Sequence, residues 1–186
     1  MRLKADLPLF FIAVIWGSAF VAQRIAGQLG SVYLFNGVRY LLAGLVVFPF
    51  VRLKTSMPRE QFKWMFIAGF LLFVAAALQQ AGMQYTTAGN AGFITSLYVV
   101  FVPFVVLIGW REKPHWLSVV AVAVAVTGAY LLSTGGDRME VQRGDALELV
   151  GALFWALHVV VLGKFASRFE PMSFSVGQLL VCGLLN

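Results

Sequence analysis

The sequence predicts an all-α polytopic membrane protein built as an inverted repeat of five-helix units, with about seven transmembrane helices in this chain. Three observations predict it. The 186 residues are 60% hydrophobic and only 12% charged, with a mean hydropathy of +0.85. A soluble domain carries about 25% charged residues, so this chain has too little polar surface to cover a particle in water. Seven apolar runs follow one another, the first six near the ~20 residues a helix needs to cross a core of ~30 Å. Finally, the first two runs recur at a fixed offset near the end of the chain.

The runs lie near 7–26, 31–51, 63–83, 88–110, 115–133, 147–165 and 173–186. Each must be a helix, because hydrocarbon leaves unpaired backbone groups without partners. Barrel strands would alternate in polarity, and these runs do not. The first run follows Arg2 and Lys4, a basic start that a cleaved signal peptide also has, but no small-x-small cleavage site with a polar continuation follows it. The second run contains Asn36 and Arg39, and the third ends in Gln79 and Gln80. Third and fourth are joined by QYTTAGNAGF, within a stretch from Trp64 to Trp110 that has no charged residue and no histidine. Thr86 or Thr87 can cap the fourth helix there, and Gly89 and Gly92 are small enough for a neighbouring helix to come close. Pro103 removes one backbone donor late in the fourth helix and is a candidate hinge. The sixth run carries Glu148 at its start, then Trp155 and His158. The seventh stops at Leu185-Asn186 within apolar sequence, which reads as a fragment or a truncated product.

Lys and Arg sort between the connections. Ten of the 14, namely Arg2, Lys4, Arg52, Lys54, Arg59, Lys63, Arg111, Lys113, Lys164 and Arg168, fall on one side. Arg24, Arg138 and Arg143 fall on the other, and Arg39 lies within a span. The positive-inside rule then puts the N-terminus in the cytoplasm and the acidic loop GGDRMEVQRGDALE outside. The net charge of +6 reads as basic cytoplasmic loops, with the lipid bilayer rather than nucleic acid as the partner.

Shifting the sequence by 139 residues sets Ala13 on Ala152, Trp16 on Trp155 and Val21 on Val160. The register continues through Leu41 on Leu180, Gly44 on Gly183 and Leu45 on Leu184. The first span and the sixth enter the membrane from opposite sides, so the repeat is inverted. Inverted repeats are typical of secondary transporters, whose site lies near the midplane between the halves.

WGSAFVAQR (16–24), RYLLAGL (39–45), QYTTAGNAGFITSLYVVFVPF (84–104) with the REKP turn after it (111–114), and TGAYLLS (127–133) resemble the drug/metabolite transporter superfamily, specifically its EamA-like family. GALFWALHVVVLGKFA (151–166) resembles the opening of a second EamA unit. The resemblance implies ten helices in two inverted five-helix units, both termini cytoplasmic, and export or import of small metabolites or drugs. It divides the chain into a first unit over 5–133, an acidic outward loop over 134–146, and the start of a second unit over 147–186.

Candidates for the substrate pathway are Trp16, Asn36, Arg39, Gln79, Gln80, Asn90, Trp155 and His158. Arg39 sits about eight residues into its span, ~12 Å deep; a charge there costs a few kcal/mol and marks a functional site, or it snorkels to the interface. With Asn36 it either binds an anionic group or ties two helices together. Gln79 and Gln80 need protein partners or substrate, because hydrocarbon offers an amide none. Asn90 either lines a central cavity or belongs to a capped, tightly packed turn. Trp16 and Trp155, paired by the repeat, can stack on substrate, whereas Trp64, Trp110 and Trp116 read as an interfacial belt. His158 and Glu148 are the candidates for proton coupling: histidine titrates near pH 6.5, and Glu148 is otherwise an interfacial carboxylate at a helix start.

The leading function is therefore a secondary carrier of a small-molecule substrate by alternating access across the cytoplasmic membrane, with no catalytic residues and no cofactor. A membrane-embedded enzyme would need clustered Asp, His, Ser or Cys within the spans. His115, His158 and Cys182 are scattered, so no metal site is expected, and no GxxxxGK loop for ATP is present. A third possibility is a half-unit completed by a homodimer or a partner subunit, although the strong charge bias opposes an antiparallel homodimer.

Overall fold

A computed structural model describes residues 3–51, 57–134 and 140–186. Arg2, Arg52, Lys54 and Arg138, which enter the charge argument, lie outside the described residues, as does 135–139 of the acidic loop. The described chain is helical: α1 (Leu3–Leu29), α2 (Val32–Val47), α3 (Arg59–Gly82), α4 (Ala88–Ser96), α5 (Tyr98–Trp110), α6 (Trp116–Thr134), α7 (Asp145–Phe165) and α8 (Pro171–Leu185). Short 3-10 turns at Phe48–Phe50 and Ala166–Arg168 extend α2 and α7. Among the described residues, Asp6–Gln28, Val32–Phe50, Arg59–Gly82, Ala88–Trp110 and Asp145–Arg168 are long and apolar enough to cross a membrane. Two further apolar helices, Trp116–Gly128 and Pro171–Leu185, are shorter.

The burial pattern is that of a bundle with apolar surroundings. Leu9, Phe10, Ile15, Leu34, Val46 and Ile108 face outward, while Asn36, Gln79, Gln80, Thr86 and Glu148 are buried. Polar groups turned inward and hydrocarbon turned outward suit a lipid environment and oppose a watery one. The chain is a polytopic membrane protein.

Local chemistry sets the helix ends. Ser31 caps α2 through the Leu34 amide, and Glu170 caps α8 through the amides of Met172 and Ser173. Of the two threonines before α4, Thr87 is the cap, accepting from the Asn90 amide at 3.0 Å. Thr86 instead donates to Asp145 at the start of α7. The fourth span is broken at Leu97, between α4 and α5. Pro103 lies six residues further on, inside α5. The Ser96 hydroxyl donates to the Phe93 carbonyl at 2.6 Å, a local bond of the kind that bends helices. Arg111, with φ 58°, ends α5 in the left-handed region.

α3 is the centre, packing against α7 and α8, while α2 lies along α8 and α4 and α5 lie along α7. At Gly144 the backbones of α3 and α7 nearly touch: a Cβ there would stand 2.1 Å from the Gly82 carbonyl oxygen. No such neighbour lies within 4 Å of a Cβ at Gly92, so close helix approach is not made at that residue. The α2–α8 contact is reciprocal. A Cβ on Gly44 would meet Leu180 at 2.9 Å, and one on Gly183 would meet Leu41 at 2.7 Å. The shift of 139 residues carries each of these pairs onto the other, which is the pattern of a two-fold contact.

At the other end of the bundle, Lys164 pairs with Glu112 at 2.6 Å. Beside that pair, Trp64 stacks on Phe165 with 3.4 Å between ring centroids. Trp110 and Trp116 are exposed there.

Candidate functional site

Near the middle of α1, α2 and α7 the helices leave a cavity of about 280 Å³. α1 gives it Trp16, Ala19, Phe20 and Gln23, spaced as one face of a helix. Arg39, Tyr40 and Ala43 come from α2, and Trp155 and Leu179 from α7 and α8. Gln79 of α3, Thr95 of α4 and Tyr98 of α5 complete the wall. Thr95 and Tyr98 flank the break at Leu97. A groove of about 640 Å³ between α5 and α6 is larger, but its wall is apolar except for Thr127, so it offers nothing to orient a polar solute.

Four of the residues expected on the pathway meet at this cavity: Trp16, Arg39, Gln79 and Trp155. Trp16 and Trp155 touch edge to face, with centroids 5.9 Å apart and planes at 78°. Arg39 donates from Nη2 to the Tyr40 hydroxyl at 2.9 Å. Its guanidinium lies over the Tyr40 and Phe35 rings, 4.6 and 5.4 Å from their centroids. No carboxylate pairs with it among the described residues, and its buried Nε has no hydrogen-bond partner. The Gln23 Oε1 and Trp155 Nε1 atoms are likewise buried and unpartnered.

The other four serve packing contacts. Asn36 is fully buried and donates to the Ala76 carbonyl at 3.1 Å, joining α2 to α3 rather than to Arg39. Gln80 donates to the Gln23 carbonyl at 2.6 Å, joining α3 to α1. Asn90 sits in the capped turn and donates to the Glu140 carbonyl at 3.1 Å, away from the cavity. His158 Nε2 is 2.9 Å from Gln178 Oε1, joining α7 to α8.

Glu148 differs from the interfacial carboxylate its position suggests. It is 0% exposed. A relay leads from the cavity to it: Gln79 Nε2 donates to Thr95 Oγ1 at 2.9 Å, and Thr95 Oγ1 donates to Glu148 Oε2 at 3.1 Å. Its Oε1 has no partner. Asp145, one turn earlier, accepts from Thr86 and from the Gln142 amide. Among the described residues no basic side chain pairs with either.

Phe20, Gln23, Tyr40, Thr95 and Tyr98 were not legible as site residues. Phe20 and Gln23 had a signal, since they fall one and two turns beyond Trp16 on the same face. Thr95 and Tyr98 had none, because a helix break ten residues after the cap at Thr87 is not written in local propensity.

The model of the EamA-like transporter family matches residues 3–134. The chain is 34% identical over 185 residues to an uncharacterized transporter of Archaeoglobus fulgidus, covering 100% of this chain and 57% of that protein. It is 27% identical over 195 residues to the uncharacterized inner membrane transporter YedA of Escherichia coli, covering 100% and 62%. It is 24% identical over 188 residues to the uncharacterized transporter YvbV of Bacillus subtilis, covering 97% and 60%. The chain thus spans 57 to 62% of the length of these relatives. No solved structure matches it.

Proposed function

Because this chain belongs to the EamA-like transporter family, we propose that it acts as a secondary transporter that moves a small metabolite or drug-like molecule across the cytoplasmic membrane by alternating access. One observation carries the reading. Seven helices contribute to one cavity of about 280 Å³, and its wall mixes Arg39, Gln79, Gln23 and Thr95 with aromatic rings. A membrane protein that keeps amides, a hydroxyl and a guanidinium around a space among apolar helices incurs a desolvation cost. A polar solute in transit offsets it. The reciprocal contact of α2 with α8 supports two inverted units that rock about a shared axis. The N-terminus is assigned to the cytoplasm and the protein to the inner membrane. The naming of the relatives as transporters weighs against an enzyme.

The test is flux. Vesicles holding the chain are offered a mixture of small metabolites, and their contents are followed by mass spectrometry. At least one solute should enter saturably, and Gln79→Ala should reduce its entry about tenfold, the loss of one to two hydrogen bonds to the bound solute. If no solute enters vesicles that contain folded protein, the reading fails.

A further inference from the structure

We propose that the cavity recognises an organic anion with an aromatic or flat apolar body, and that Arg39 is its anchor. The inference rests on the transport reading only for its location and deepens it by naming the substrate class. Arg39 is the one charged side chain among those lining the cavity. Its guanidinium has five donors, of which a single bond, to the Tyr40 hydroxyl, is made within the protein. The guanidinium lies over the Tyr40 and Phe35 rings, and among the described residues its other donors make no hydrogen bond to the protein. Planar donor edges suit carboxylate and phosphate oxygens, which accept in pairs.

A second observation is independent of Arg39. Trp155, another residue of the lining, also has a buried donor, Nε1, without a partner. Unpaired donors on two lining residues suit a ligand with acceptor atoms. The counter-charge in the neighbourhood, Glu148, stands behind Thr95 and does not line the cavity, so no carboxylate on the wall is there to pair with a cation. The rings of Trp16, Phe20, Tyr98 and Trp155 supply the apolar remainder of the site.

The probes are three molecules of matched shape: phenylacetate, 2-phenylethanol and phenethylamine. Their affinities for the chain in lipid nanodiscs are measured by calorimetry. Phenylacetate should bind about tenfold or more tightly than the neutral alcohol, as a charge-assisted bond requires. Arg39→Gln should bring anion and alcohol within about twofold of each other. Arg39→Lys, which keeps the charge without the planar edge, should retain part of the preference and serves if Arg39→Gln does not fold. The proposal is overturned if the alcohol or the amine binds as well as phenylacetate, if none binds at millimolar concentration, or if Arg39→Gln weakens all three alike. Flux in vesicles separates the two readings. Phenylacetate bound with preference but not moved sinks transport alone, whereas movement of amine or alcohol without a preference for phenylacetate sinks the anion alone.

Discussion

Glu148 and Thr95 carry the finest-scale consequences. Glu148 reaches the cavity only through the Thr95 hydroxyl and the Gln79 amide, so its ionisation is tied to how much water and which solute occupy that space. His158 is engaged with Gln178 instead. If transport is proton-coupled, Glu148→Gln should make flux insensitive to an imposed pH gradient, and His158→Ala should leave the response in place. The opposite result moves the coupling proton to His158. Thr95→Val keeps the shape but removes the shared hydroxyl, leaving Gln79 and Glu148 each short of a partner. It should lower stability by about 1–3 kcal/mol, read as a drop in the unfolding temperature in detergent. Arg39 was legible in the sequence because a charge interrupts an apolar run. Glu148 looked interfacial because the segment that covers it, the end of α3 at Gly82, comes from more than 60 residues away and leaves no local trace.

Among the helices, hydropathy alone located the spans. The run expected over 63–83 is α3 at Arg59–Gly82, and that over 147–165 is α7 at Asp145–Phe165. What hydropathy could not place was the break at Leu97, because proline is a strong signal and Ser96 bonding to Phe93 is a weak one. The facing of side chains was equally hidden. Asn36 and Arg39 lie three apart on α2, yet one meets the α3 backbone and the other the cavity. The α3–α7 crossing makes its own prediction. Gly144→Ala would drive a methyl into the Gly82 carbonyl, which is backbone and yields little. The expected loss is about 1–3 kcal/mol, and an unchanged unfolding temperature would mean that the two helix ends are not held together as described.

For the whole molecule, orientation is the property most open to measurement. Cys182 is buried, so the native chain should resist thiol labelling. Ser31→Cys, at the α1–α2 turn, and Lys113→Cys, between α5 and α6, introduce thiols at exposed positions at opposite ends of the bundle. A membrane-impermeant maleimide added to intact cells should label Ser31→Cys and spare Lys113→Cys. The reverse pattern would invert the assigned topology. This assignment rests on charge counting, since Lys and Arg resist passage through the bilayer wherever they fall in the fold.

The paired sockets of α2 and α8 have a mechanical meaning. Leu180 seats against Gly44 and Leu41 against Gly183, the same fitting made twice and facing opposite ways. In the proposed alternating access, a gap opened at the first seat by one unit tipping against the other would be matched by compression at the second. Such a fulcrum would be balanced, adding nothing to the choice between facing in and facing out. The direction of tipping would then fall to what loads either arm, such as the proposed solute beside Arg39.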